Sequence, residues 1–160
     1  MWISLIATAL AGPCNLQTLQ SAMSKLDQDL AQQWWAVEEQ MKRVQKEVQC
    51  TKEPLQPATI LRLHEQLAVS HHILKDYDTS AAHLVSAWLA APMFPFPASI
   101  PTTSPARGRF AALQEQVLNG GVVVRLDRPA YIDGHWADWV YAGLPMIVQE
   151  PGKKARIMEP

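Results

Sequence analysis

The chain has 160 residues, the length of one compact domain or of a helical domain with a small appendage. With 48% apolar and 18% charged residues it has a globular composition, which excludes disorder throughout. Fourteen basic residues nearly cancel fifteen acidic ones, so no net field draws nucleic acid or anionic lipid to the surface.

The first stretch, MWISLIATALAGPC, is apolar or small up to a cysteine. Ala9-Leu10-Ala11 has the small-x-small form accepted by signal peptidases, so residues 1–11 read as a signal peptide, although no Lys or Arg lies near Met1 and the segment is short. Two other readings stay open. Cys14 could be the lipid-bearing first residue of a lipoprotein, against which Pro13 argues, or residues 2–11 could be the first turns of a core helix. Elsewhere no apolar run approaches the ~20 residues that span a bilayer.

Residues 16–48 carry an apolar stripe. Leu16, Leu19, Met23, Leu26 and Leu30 share one helical face, as do Trp34, Val37, Met41, Val44 and Val48. The step from Leu30 to Trp34 shifts the phase with no Gly or Pro at the join. One straight helix here would hold Cys14 and Cys50 about 50 Å apart. A disulfide needs Cα atoms within ~7 Å. In an oxidising compartment the only two cysteines are expected to pair, so the chain must fold back between them. The expected corner is Lys25-Leu26-Asp27-Gln28-Asp29, with Asp27 or Asp29 capping a second helix. The alternative is two free, buried thiols in a cytosolic protein.

After TKEPLQPAT, Pro57 is placed to open a third helix with Ile60, Leu63, Leu67 and Leu74 on its buried face. Asp78 or Thr79 then caps a fourth helix running to about Ala91, with Leu84, Val85, Trp88 and Leu89 as its apolar residues. Residues 92–106, PMFPFPASIPTTSPA, are proline-dense and uncharged, and so form an extended strap pinned by Met93, Phe94 and Phe96. Ser104 and Pro105 start a fifth helix, ending near Asn119-Gly120-Gly121, with Phe110, Leu113 and Val117 on its apolar face. From Val122 the pattern changes to strands: VVVRL, AYIDGHW with an Asp-Gly hairpin signal, and LPMIVQ.

The expected fold class is therefore α+β: about five helices in antiparallel hairpins within residues 12–119, including the strap, then a small β module with a polar tail at 120–160. Over about 15–95 the helices resemble two helix-turn-helix units of the tetratricopeptide type, the second carried by KDYDTSAAHLVSAWLAAPMFP, a turn and helix with Ala81, Val85, Trp88 and Pro92. That resemblance implies a partner-binding or scaffold role. Tyr131-Ile132-Asp133-Gly134 and Pro145-Met146-Ile147-Val148 resemble the PEGA-type β module of exported bacterial proteins, over about 121–150 and without that family's Pro-Glu-Gly-Ala core. This likeness implies export to the bacterial envelope.

No nucleophile elbow, phosphate-cradling loop or metalloprotease helix is present. His64 and His71 share a face of the third helix about 10 Å apart along its axis, with His72 beside them and His83 able to approach from the next helix. They are read as interface or surface histidines rather than metal ligands, and Asp133 as a turn residue. No cofactor, metal or catalytic residue is assigned. Trp34 follows the core stripe, while Trp35, Trp136, Trp139 and Tyr141 are the candidate partner-binding residues. The expectation is an exported, non-enzymatic protein-binding component of the periplasm or envelope, with a protein or peptide partner and no nucleic acid. A cytosolic helical adaptor and a small metal-dependent enzyme built on the histidine-bearing helices are the alternatives.

Overall fold

The structure, a computed structural model, describes residues 14–159. The expected signal segment, residues 1–11, lies outside the described residues. Among the described residues the fold is α+β: five α-helices followed by a four-stranded antiparallel sheet.

Helix α1 (Leu16–Gln32) begins on a capping box. The Asn15 side chain accepts the Thr18 N–H at 3.0 Å, and the Thr18 hydroxyl accepts the Asn15 N–H at 3.1 Å. Leu19, Met23 and Leu26 are fully buried along one face. The helix runs straight through Lys25–Asp29, which corrects the expected corner. Asp29 pairs one turn back with Lys25 at 2.8 Å, and Asp27 reaches across to Arg62 and Gln66, so neither is a cap. With no helix breaker there, the backbone bonds continue to Gln32, and the chain turns where the apolar face changes phase.

A single 3-10 turn, Trp34–Ala36, makes this corner, and α2 (Val37–Cys50) returns with Val37, Met41, Val44 and Val48 buried. Trp34 is consequently not a core residue. It is 68% exposed because the stripe is broken at that point, and its ring meets Trp35 edge-on at 6.1 Å. The hairpin brings Cys14 and Cys50 to one end, where they form a disulfide with Cα atoms 5.8 Å apart.

Helix α3 (Pro57–Ile73) opens with Pro57 at its first position. Leu74, expected on its buried face, sits at the C-terminal cap and is exposed. Helix α4 (Tyr77–Ala90) is capped by Asp76, whose carboxylate accepts the Thr79 N–H at 3.2 Å, rather than by Asp78 or Thr79. From Ser80 to Ala87 every residue of α4 is buried, since the helix lies between α3, helix α5 (Pro105–Leu118) and the sheet. Its hydroxyls therefore need internal acceptors. Ser80 donates to the Ala68 carbonyl at 2.8 Å and Ser86 to that of Pro145 at 2.7 Å.

The strap between α4 and α5 is pinned by Ile100, Phe94 and Phe96, whereas Met93 projects into solvent. Phe96 meets Phe110 of α5 edge-on at 5.4 Å, and the Arg107 guanidinium lies 3.7 Å over its ring while donating to the Ile100 carbonyl. Ser104 and Pro105 start α5 as expected.

The sheet holds β1 (Val123–Ile132), β2 (His135–Tyr141), β3 (Met146–Gln149) and β4 (Arg156–Met158) in the order β2-β1-β3-β4. The last strand lies in the segment expected to be a polar tail. Three residues among charged neighbours carry no periodic signal, and β4 forms because β3 offers an edge for Ile157 to pair against Ile147. Asp133 and Gly134 join β1 to β2 with φ of +45° and +83°, the two positive values of a type I′ turn. A Cβ on Gly134 would stand 3.1 Å from Pro57 Cγ, so the hairpin tip sits directly on the start of α3.

Candidate functional site

The tip of the β1–β2 hairpin brings two kinds of chemistry together. The first is buried. Asp133 Oδ1 accepts the Ile147 N–H at 2.8 Å and lies 3.1 Å from His64 Nε2. His64 Nδ1 is in turn 3.0 Å from His83 Nδ1, and the rings of His83 and His71 stack at 5.7 Å. His71 then meets Asp76 at 3.2 Å. With Asp133 as acceptor, His64 carries its proton on Nε2, so its Nδ1 accepts and His83 donates from Nδ1. This leaves His83 Nε2 a bare acceptor without a partner, and Asp133 Oδ2 is equally unpartnered and buried.

Burial holds the His83 imidazole well below its ordinary pKa, and neighbouring His64 and His71 lower it further through charge repulsion. Burial also lowers His71, with Asp76 offsetting part of the effect. His64 and His83 meet in the interface between α3 and α4, the approach of His83 from the next helix that the sequence left open. Sequence reasoning placed Asp133 in the turn, where it is, and missed that it also closes on His64. Only tertiary folding makes neighbours of residues 69 positions apart.

The second kind is aromatic. Alternation along β2 puts His135, Ala137, Trp139 and Tyr141 on one face and Trp136 on the other. Trp139 and Tyr141 meet edge-on at 5.1 Å and line a cleft of about 230 Å³ between the sheet and the end of α4. Leu89, Ile132 and Met146 give it apolar walls, and Asp133 also lines it. Trp136 packs on Tyr131 of β1 across the opposite face, at 5.1 Å, and is 57% exposed. The three aromatics expected on β2 thus divide between the two faces of one strand. Trp35 stands apart from them at the α1–α2 corner, also exposed.

A wider groove of about 850 Å³ between the C-terminal turn of α5 and the far end of β2 is lined by Leu113, Val117 and Val122 and holds no buried polar atom without a partner. Among the described residues, the one trio of ligand-type atoms clustered within 4.8 Å is Cys14, Glu47 and Cys50, whose two sulfurs are joined to each other. No described helix is long and apolar enough to cross a membrane.

Comparison with family models, curated proteins and solved structures finds no match to this chain.

Proposed function

We propose that the protein is a non-enzymatic, exported protein-binding component of the bacterial envelope that receives an extended polypeptide segment of its partner along strand β2. One observation carries this reading. β2 is an edge strand, with no strand beside its outer edge among the described residues, and it presents exposed aromatic side chains there. Its sequence, HWADWVY, contains none of the lysines or prolines that commonly blunt an exposed edge. An added strand would gain main-chain hydrogen bonds from that edge, and its alternate side chains would meet Trp136 on one face and the cleft on the other. The disulfide between Cys14 and Cys50 supports an oxidising compartment over a cytosolic adaptor. The likeness of residues 121–150 to an envelope module agrees with it.

A photoreactive amino acid at position 136 tests the reading in native cells, with position 20, on the exposed face of α1, as control. Position 136 is expected to yield a discrete crosslinked partner that position 20 does not. Equal crosslinking from both positions, or none from 136, would sink the proposal.

A further inference from the structure

We infer that reduction of the Cys14–Cys50 disulfide opens a binding site for one zinc ion, held by the two thiolates and the Glu47 carboxylate. The site belongs to the α1–α2 hairpin, uses no residue of the sheet, and stands apart from docking along β2.

Local spacing and the hairpin build it together. Glu47 and Cys50 stand three apart in the last turn of α2, so carboxylate and sulfur share a face. Cys14 directly precedes the capping residue of α1, and the hairpin brings its Cα to 5.8 Å from that of Cys50. Glu47 Oε2 lies 3.9 Å from the Cys14 sulfur and 3.8 Å from the Cys50 sulfur. A tetrahedral zinc ion, with Zn–S of about 2.3 Å and Zn–O of about 2.0 Å, sets S···O at about 3.5 Å and S···S at about 3.8 Å. The carboxylate therefore already stands close to ligand spacing from both sulfurs, and opening the S–S bond lets the sulfurs part by side-chain rotation. Cys14 is exposed while Glu47 and Cys50 are half-buried, which gives the ion an entry path and water the fourth position.

The Thr18 hydroxyl donates to Glu47 Oε2 at 2.8 Å, and Thr18 is itself fixed in the capping box of α1, so the carboxylate is held toward the sulfurs from outside the ligand set. Glu47 makes no salt bridge among the described residues. Beside two thiolates it completes a convergence of three negative ligands, whose complement is a divalent cation. Two sulfurs and one oxygen suit zinc, whereas calcium and magnesium take oxygen ligands.

The reductant is a dithiol. It passes two electrons and two protons to the Cys14–Cys50 bond, leaving two thiols, and closes to a disulfide itself. Zinc then displaces both thiol protons to solvent as two Zn–S bonds form, and the ionised Glu47 carboxylate adds the third ligand without losing a proton.

The test compares the full chain in its disulfide form with the same chain reduced by dithiothreitol and desalted without oxygen. Zinc chloride is titrated in competition with a chromophoric chelator, and cobalt chloride serves as the spectroscopic probe. The reduced chain is expected to take up one zinc ion, at least about 100-fold more tightly than the disulfide form, and its cobalt complex to show sulfur-to-metal charge-transfer absorption. Glu47→Gln should keep that absorption and weaken zinc binding at least about tenfold. Cys50→Ser should lose roughly half of the absorption and the tight uptake. Far-UV circular dichroism on each sample reports whether the helices are formed. Glu47→Gln leaves both thiols in place and keeps the test valid should the Cys50 variant fold poorly.

Equal zinc uptake by the two redox forms, no uptake by the reduced chain, or uptake by a chain that has lost its helices and does not regain them would overturn the inference. An affinity unchanged in Glu47→Gln would overturn the place of the carboxylate in the site.

Discussion

Asp133 does three things at once: it adopts a left-handed backbone conformation in the turn, receives the Ile147 amide, and holds His64. Removing its side chain strands two buried donors, each costing ~1–3 kcal/mol when unpaired. Asp133→Ala is therefore expected to lose about 3 kcal/mol in urea denaturation. Asp133→Asn keeps an acceptor oxygen and tolerates the positive φ, so it is expected to lose clearly less. Equal losses would mean that the carbonyl-type acceptor contributes nothing.

His83 makes a second prediction at this scale. Above about pH 6.5 the folded and unfolded chains both hold it neutral, and its titration contributes nothing to the balance. Below that pH the unfolded chain takes up a proton that the buried, His64- and His71-flanked imidazole refuses, so stability falls as pH drops. The expected slope is up to about 1.4 kcal/mol per pH unit, readable as a decline in denaturation midpoint from pH 7 towards pH 5. His71 and His72, also lowered by burial, act with the same sign. A flat profile over that range would contradict the buried network.

Among the elements, the α1–α2 hairpin shows how a stripe can be legible while its corner is not. The spacing of Leu19, Met23, Leu26, Val37, Met41, Val44 and Val48 identifies the two buried faces, and all seven are buried. The sequence points to a corner at acidic residues able to cap a helix. The corner forms instead at the phase shift, because Asp27 and Asp29 satisfy partners on α3 and within α1. This difference is measurable. Leu26→Ala, made within the uninterrupted helix, is expected to cost about 2–5 kcal/mol, and Trp34→Ser at the exposed corner less than about 0.5 kcal/mol. A comparable loss at Trp34 would return that residue to the core. Reduction of the disulfide, which closes a separation of 36 residues, should lower stability by about 3–4 kcal/mol with the fold retained in buffer. Thiol counting before and after reduction, alongside denaturation, checks it.

At the scale of the whole molecule, the β sheet is not an independent unit. Gln149 of β3 accepts the Leu55 N–H at 3.1 Å and donates to the Glu53 carbonyl at 2.9 Å, and the Ala155 N–H donates to Thr51 at 3.0 Å. Asp133 on His64 and the Ser86 hydroxyl on Pro145 add two further ties, and Ile147 belongs to the same apolar cluster as Leu19 and Leu63. The expected outcome is a single cooperative unfolding transition, with far-UV circular dichroism and tryptophan fluorescence changing together. Two separated transitions would mean that sheet and helices are held by less than these bonds imply.

What the sequence determined by itself follows from short-range physics: five helices from apolar periodicity, Pro57 and Ser104-Pro105 as starts, the Asp-Gly hairpin, and a cysteine pair that requires the chain to double back. These signals act within a few residues or, for the disulfide, through a simple distance limit. Tertiary structure alone decided the burial of Asp133 against His64 and of His64 against His83, and the formation of β4 on the edge of β3. Those arrangements depend on which surfaces meet when α4 is enclosed by α3, α5 and the sheet. No local spacing encodes that choice, because the same histidines, tryptophans and turn residues would satisfy an isolated helix or hairpin just as well.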